Sequence, residues 1–223
     1  MIPVEVIPLP PPSVTSRYPL VVFDFDGTLA DSFPFLLEVF DTLADAHGFR
    51  RLERESLDAL RSCDTRMMLK RIGLPLWKAP RVAMHFKALM AARIDRIRLF
   101  EGAADGMCEL KRRDVKLAVV SSNDLSNVRA VLGFDTASLV DYYECGVPLL
   151  GKRSRLRALV KKSGVAREGV LCIGDEVRDI EAAQGERLDC AAVTWGYATP
   201  EALMKSKPTV LFSSFDEILG YVK

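Results

Sequence analysis

The stretch that decides the fold is Leu20–Gly27, with the sequence LVVFDFDG. Its first residues are apolar without a break, whereas a half-exposed strand would alternate apolar and polar residues. Such a run, closed by Asp24, Asp26 and a glycine, is typical of a parallel strand that is buried on both faces and ends in a turn. The stretch therefore predicts a buried strand over Leu20–Phe25 with two carboxyl groups at its carboxyl end.

Similar apolar runs recur along the chain and alternate with helical patterns. Strands are predicted at Val115–Val120 and Val170–Ile173, with weaker candidates at Ala191–Thr194 and Val210–Phe212. Helices are predicted between them, at Ala103–Arg113, Leu125–Leu132, Arg153–Ser163 and Asp179–Glu186. This alternation predicts an α/β fold, a doubly wound parallel (Rossmann-like) sheet with right-handed crossovers.

One block interrupts the alternation of strands and helices. Residues 33–99 show no strand pattern, and helices are predicted there at Pro34–Ala46, Arg54–Ser62, Thr65–Ile72 and Lys78–Ile97. We interpret this block as a helical cap domain inserted after the first strand. Residues 20–32 and 100–223 then form the α/β core. Residues 1–19 carry five prolines before position 13 and are expected to form an extended or disordered arm.

Composition restricts the surroundings and partners of the chain. The 223 residues carry a formal net charge of +1, so we expect no nucleic-acid or membrane partner. No apolar stretch reaches the ~20 residues of a membrane helix, and the N-terminus has no secretion-signal pattern. The five cysteines are odd in number and never spaced as CxxC, which favours a reduced, cytoplasmic protein. The sequence leaves the oligomeric state open.

Polar residues follow three of the predicted strands at the point where each strand ends. Asp24 and Asp26 close the first strand, Ser121 the second and Asp175 the third, while Lys152 opens the helix before the third. Ligands of open α/β sheets bind at the carboxyl ends of the strands. We therefore expect these side chains to converge on one edge of the sheet and to form one site.

The expected set of groups suits metal-assisted phosphoryl transfer. Clustered carboxylates repel one another unless a cation lies between them, and Mg²⁺ prefers oxygen ligands. Asp24 could then attack phosphorus, with Mg²⁺, Lys152 and the Ser121 hydroxyl neutralising the phosphoryl oxygens. Asp26 could protonate the leaving oxygen and later activate water. Gly27 would let backbone amides approach the phosphate.

Simpler interpretations exist for each part of the set. An Asp-Gly pair is common in turns, and Asp175 and Asp179 could merely cap a helix. A calcium loop is excluded because it needs glycine at its sixth position and glutamate at its twelfth, where this chain has Leu29 and Phe35. Only the ordered combination of all the segments favours catalysis.

Four segments resemble, in order, the motifs of the haloacid dehalogenase-like hydrolase superfamily. They are Val21–Ser32 (VVFDFDGTLADS), Leu117–Asn123 (LAVVSSN), Gly151-Lys152, and Ile173–Asp179 (IGDEVRD). The resemblance extends from about Leu20 to the C-terminus and lies nearest to phosphoglycolate phosphatase-like members with a helical cap. Two departures are that Arg153 follows the motif lysine where many relatives have proline, and that Glu176 adds a carboxylate of unassigned role.

The resemblance implies a role for each matching catalytic residue. Asp24 would be the nucleophile that forms an aspartyl-phosphate, and Asp26 would be the general acid and base. Ser121 and Lys152 would hold the phosphate. Further substrate-binding candidates in and beside these motifs are Gly27, Thr28, Ser122 and Asn123.

The same resemblance implies a Mg²⁺ site. Its ligands would be the carboxylates of Asp24 and Asp175 and the backbone carbonyl of Asp26, and Asp179 would support the metal through a water or an outer contact. In the cap, the segment Arg61–Arg66 joins two predicted helices and carries two guanidinium groups that suit an anionic substrate. Arg66 is our candidate for binding that anionic part.

The function predicted from the sequence is a Mg²⁺-dependent phosphatase that acts on a small phosphorylated metabolite. A phosphomutase acting on a sugar phosphate uses the same core motifs, so both remain open. Two readings from other classes are a phosphoaspartate signalling receiver, which is shorter and has no cap, and a non-catalytic binding protein. A dehalogenase is disfavoured, because it has no need of Asp26.

Overall fold

The computed structural model of the protein describes residues 16–148 and 151–223. The proline-rich part of the predicted N-terminal arm lies outside these residues. The strands, in chain order, are β1 Leu20–Phe23, β2 Ala30–Asp31, β3 Arg98–Leu99, β4 Lys116–Val120, β5 Tyr142–Glu144, β6 Val170–Gly174, β7 Asp189–Val193 and β8 Val210–Phe212.

Six of the strands form one parallel sheet in the order β5-β4-β1-β6-β7-β8. Strand β1 lies inside the sheet, where Leu20 is paired with Lys116 of β4 and with Val170 of β6. The predicted α/β fold with a parallel sheet is confirmed. The order places the carboxyl ends of β1, β4 and β6 side by side.

Both faces of β1 are buried, which explains its unbroken apolar sequence. Val21 and Phe23 pack into the hydrophobic core on one side of the sheet, and Leu20 and Val22 pack into the core on the other. Successive residues of a strand point to opposite faces, so a strand covered twice needs apolar residues at every position.

Ten α-helices accompany the strands in the described residues. They are α1 Phe33–His47, α2 Leu57–Arg61, α3 Thr65–Arg71, α4 Ala79–Ala92, α5 Ala103–Arg112, α6 Leu125–Ser138, α7 Lys152–Ser163, α8 Val177–Gly185, α9 Pro200–Lys205 and α10 Phe215–Tyr221. None of these helices has the length and apolar character needed to cross a bilayer. Helix α6 continues past its predicted end through a kink at Gly133, whose φ is 72°.

Helices α1 to α4 follow one another without a strand of the main sheet between them. Helix α1 begins with Pro34 in its first turn and ends at Gly48 with φ 69°, and the Asp64 side chain caps α3 by accepting from the Met67 amide.

The expectation that residues 33–99 contain no strand was wrong at the carboxyl end of this range. Arg98–Leu99 forms β3, antiparallel to β2, and two residues are too few to produce a sequence pattern. The β2–β3 pair joins the two ends of the helical segment.

Candidate active site

Three carboxyl groups, two from the ends of neighbouring strands and one from a helix, meet in the interior. Asp24 directly follows β1, Asp175 directly follows β6, and Asp179 lies in the first turn of α8. One oxygen of each lies within 4.8 Å of an oxygen of the others, and all three residues are buried, Asp24 to 4% exposure. The convergence expected at the carboxyl ends of the strands is therefore present in the structure.

Neighbouring residues hold Asp175 in a fixed orientation. The Thr28 hydroxyl donates to one carboxylate oxygen and the Tyr197 backbone amide donates to the other, each at 2.8 Å. A side chain at Gly27, whose φ is 78°, or at Gly196 would overlap the Asp175 carboxyl group. These two glycines let the backbone close around the Asp175 carboxylate. The carboxylate is therefore held in one orientation before any ligand binds to it.

Lys152 supplies the positive charge beside these carboxylates. Its Nζ lies 3.0 Å from Asp24 Oδ1 and 2.7 Å from Asp179 Oδ1. Burial opposes the charged lysine, but Asp179 and Asp24 outweigh it and raise the pKa of Lys152. Burial likewise opposes the charge of Asp179, yet Lys152 and Arg178 lower the pKa of that carboxyl group. Both groups are therefore charged at neutral pH.

At Asp24 and Asp175, by contrast, the compensating groups do not outweigh burial. Asp24 Oδ2 is buried without a hydrogen-bond partner among the described residues. Burial is the largest influence on the pKa of Asp24 and of Asp175 and raises both. An orphaned carboxylate oxygen beside two further carboxylates fits a small divalent cation with oxygen ligands, as Mg²⁺ is. Asp24, Asp175 and Asp179 are the residues that could hold it.

Asp26 lies next to the cluster in a different environment. Its carboxylate accepts from the Ser32 hydroxyl at 2.8 Å and from the Asn123 amide at 3.0 Å. Burial and then the Asp24 charge raise the pKa of Asp26, Ser32 and Asn123 lower it, and the resulting value is about 6. A carboxyl group with a pKa in this range can give and accept a proton near neutral pH.

The residues that follow β4 add further polar groups beside Asp26. The Ser121 hydroxyl is buried and accepts from the Asn123 backbone amide at 3.0 Å. Ser122 and Asn123 line the cavity that opens over the site. The structure thus brings together Asp24, Asp26, Gly27, Thr28, Ser121, Ser122, Asn123, Lys152, Asp175 and Asp179.

The structure does not bring Arg66 to this site. Arg66 is exposed on α3, and the cavity over the site is lined instead by Arg61 and Arg178. Arg61 donates to the backbone carbonyls of Gly196 and Tyr197, at 3.0 and 2.8 Å. Arg178 forms a 2.6 Å ion pair with Glu176. The binding role predicted for Arg66 stays a prediction.

Sequence reasoning did not select Tyr197 or Arg178, and it named Arg61 only together with Arg66, as a group suited to an anionic substrate. The hydroxyls of Tyr197 and Ser32 lie 2.9 Å apart, so Tyr197 reaches Asp26 through Ser32. A signal for Tyr197 was present, because it lies in the loop after the predicted strand Ala191–Thr194 and such loops carry ligand contacts. Arg178 was visible only as part of a motif, and no local pattern distinguishes Arg61 from other helical arginines.

Comparison with known proteins agrees with this geometry. The family model described as haloacid dehalogenase-like hydrolase matches residues 21–193. A phosphoglycolate phosphatase from Synechococcus elongatus is 32% identical, over 91% of this chain and 96% of its own length. Phosphoglycolate phosphatase 1 from Pseudomonas aeruginosa is 25% identical, over 93% and 81%.

Two solved structures show the same architecture. A haloacid dehalogenase-like family hydrolase from Streptococcus pneumoniae superposes with a TM-score of 0.76 at 19% identity, over 93% of this chain and 99% of its own. CbbY from Rhodobacter sphaeroides, solved in complex with phosphate, gives 0.69 at 25% identity, over 92% and 99%. With its four motifs gathered around one buried carboxylate cluster, the chain belongs to the haloacid dehalogenase-like hydrolase family.

Proposed function

We propose that this protein is a Mg²⁺-dependent phosphatase that hydrolyses a small phosphorylated metabolite through an aspartyl-phosphate at Asp24. A phosphoric monoester hydrolase is what the family and the relatives named phosphoglycolate phosphatase support. The observation that carries the mechanism is the buried Asp24 carboxylate, whose Oδ1 lies 3.0 Å from Lys152 Nζ and whose Oδ2 has no hydrogen-bond partner among the described residues. The five free cysteines are consistent with a cytoplasmic enzyme.

In the first step, a carboxylate oxygen of Asp24 attacks the phosphorus atom of the substrate. The bond from phosphorus to the ester oxygen breaks, and protonated Asp26 gives its proton to the departing alcohol. Lys152, which holds Asp24 Oδ1, also places positive charge against the phosphoryl oxygens. Bound Mg²⁺ would supply further neutralisation of these oxygens.

In the second step, Asp26 acts as a base. It takes a proton from a water molecule whose oxygen attacks the phosphorus atom of the aspartyl-phosphate. The bond between phosphorus and Asp24 breaks, so inorganic phosphate leaves and the Asp24 carboxylate is restored. The hydrogen bonds from Ser32 and Asn123 keep the Asp26 carboxyl group aimed at the reacting centre through both steps.

We further propose that residues 33–99 act as a cap and that residues 20–32 and 100–223 carry the chemistry. Support comes from the cavity over the site, which is lined on one side by α1 to α4 and on the other by Asp26, Asn123 and Tyr197. A cap that covers a phosphoryl-transfer site excludes water that would otherwise compete with the substrate. Phosphoglycolate is the first metabolite to test, given the names of the relatives.

The experiment is release of inorganic phosphate from para-nitrophenyl phosphate and from phosphoglycolate by the purified protein. We expect turnover with Mg²⁺, none with excess chelator, and recovery when Mg²⁺ is restored. Asp24→Asn serves as the inactive control, because the amide is a poor nucleophile of nearly the same shape. Full turnover in chelator, or in the Asn variant, would refute the mechanism.

A further inference from the structure

The cavity over the site is larger and more apolar than a two-carbon phosphate needs. Its volume is about 260 Å³, and it runs between the helices of the segment that we propose as a cap. Most of its wall consists of hydrophobic side chains of α1 to α4, among them Leu37, Phe40, Leu60, Met68 and Phe86. Apolar walls favour an apolar occupant, since its transfer out of water is the main source of binding free energy.

One part of the same cavity is polar and belongs to the reaction site. Asp26, Ser122 and Asn123 line it there, together with the Glu176–Arg178 pair. A phosphate placed against Asp24 therefore has its ester oxygen beside Asp26 and its organic group directed toward the hydrophobic walls. The geometry separates phosphate chemistry from recognition of the remainder of the substrate.

The cations of the cavity are already engaged by protein groups. Among the described residues, three cationic side chains line the cavity. Lys87 pairs with Asp124 at 2.6 Å, Arg178 pairs with Glu176 at 2.6 Å, and Arg61 binds two backbone carbonyls. A second anionic group on the substrate would have to compete with these partners, because a buried charge needs a partner of its own. An apolar group meets no such competition.

We infer that the preferred substrates are phosphate monoesters of apolar alcohols with more than two carbons, an inference that rests on the proposed phosphatase function. Each methylene that enters the cavity should raise kcat/KM about fourfold, the equivalent of about 0.8 kcal/mol. Phosphoglycolate would occupy only the polar part and leave the apolar length unused.

The test is a series of ethyl, butyl and hexyl phosphates, with release of inorganic phosphate as the readout. Hexyl phosphate has four more methylene groups than ethyl phosphate. At about fourfold for each group, we expect kcat/KM to rise roughly a hundredfold or more from ethyl to hexyl phosphate. A flat or falling series, with good turnover of para-nitrophenyl phosphate, would overturn this inference and leave the proposed function standing. No turnover of any phosphate would overturn the proposed function and this inference with it.

Two alanines of α4 offer a matched pair of variants. Both lie on the exposed side of the helix, but Ala83 lines the cavity and Ala88 does not. Leucine is nearly as good a helix former as alanine, so Ala83→Leu and Ala88→Leu should both fold. We expect Ala83→Leu to lower the ratio of hexyl to ethyl turnover at least tenfold and Ala88→Leu to leave that ratio unchanged. Equal ratios in both variants would show that the organic group lies elsewhere, and the wild-type series decides the matter if a variant fails to fold.

Discussion

Replacing Arg61 by alanine should release helix α2 from the loop at residues 196–199, which lies beside the candidate active site. Arg61, the last residue of α2, donates to the carbonyls of Tyr197 and Gly196, and its own carbonyl accepts from the Thr199 amide at 3.3 Å. Its guanidinium also lies over the Phe33 ring, 5.1 Å from the centroid. The Tyr197 amide in turn donates to Asp175, so this contact joins α2 to a candidate metal ligand.

The magnitude follows from the two hydrogen bonds that the guanidinium donates. A hydrogen bond to a charged group contributes about 1.5–3 kcal/mol when it is buried. The Arg61 side chain is 28% exposed, so water screens part of this, and we take about 2 kcal/mol for the two bonds together. That free energy is a factor of roughly 30 in the equilibrium between the docked and released arrangements of α2. We expect kcat/KM of Arg61→Ala to fall by about this factor at most.

The assay is kcat and KM for para-nitrophenyl phosphate, with Arg66→Ala as the matched control. Arg66 is exposed and lies five residues further along the same segment, so its replacement should change kcat/KM by less than about twofold, as surface substitutions generally do. Arg61→Lys keeps the charge but loses the paired donors, and it should fall between alanine and wild type. Equal activity of Arg61→Ala and Arg66→Ala would refute the reasoning. A larger effect at Arg66, confined to an anionic substrate, would instead support the role predicted for it from the sequence.

Three further changes test the site and the fold. Asp24→Asn should lower kcat by roughly 10³-fold or more, with circular dichroism unchanged; a variant with a tenth of wild-type activity would argue against Asp24 as nucleophile. Gly196→Ala would place a methyl group 2.2 Å from Asp175 Cβ, so a Mg²⁺ titration should show roughly 10–100-fold weaker activation, as when a ligand's support is lost; an unchanged titration would contradict the packing. Glu186, whose side chain is 3% exposed and lies 2.8 Å from Arg157, has a pKa lowered to about 2 by its arginine hydrogen bonds. Glu186→Gln should therefore lower the free energy of unfolding at pH 7 by about 1–2 kcal/mol, after allowance for the exposed arginines, and denaturant titrations should show this difference shrinking as the pH falls from about 4.5 toward 2.

The sequence was sufficient for the parts of the fold that depend on local pattern. Strands β1, β4 and β6 are buried on both faces, and each produced an apolar run that ended at a polar residue. Strand β5 was missed because Tyr142–Glu144 is only three residues long, half-buried and at the edge of the sheet. An edge strand with one neighbour does not need to be apolar throughout.

The candidate site also contains some residues that the sequence can group and others that only tertiary contacts bring together. Asp24, Asp175 and Lys152 occupy strand and helix ends, so a rule about where parallel strands end was enough to group them. Arg61 and Tyr197 are 136 residues apart in sequence and meet only through the docking of α2 on the core. No periodicity encodes that contact, so the sequence places Arg61 and Arg66 together in the segment that joins two predicted helices and does not single out Arg61.

The extra carboxylate of Glu176 gains a physical explanation from the structure. Arg178 is largely buried beside the cluster, and Glu176 forms its ion pair. Without Glu176, the Arg178 guanidinium would lose its ion pair and would compete with a metal ion for the orphaned Oδ2 of Asp24. With it, the site holds more acidic than basic groups, namely Asp24, Asp26, Asp175, Glu176 and Asp179 against Lys152 and Arg178. That excess is three negative charges when every acid is ionised, and a divalent cation with one proton on Asp26 would balance it. The Glu176–Arg178 pair thus preserves an excess of negative charge that favours a divalent cation and a protonated Asp26, the two participants that the proposed hydrolysis through Asp24 needs.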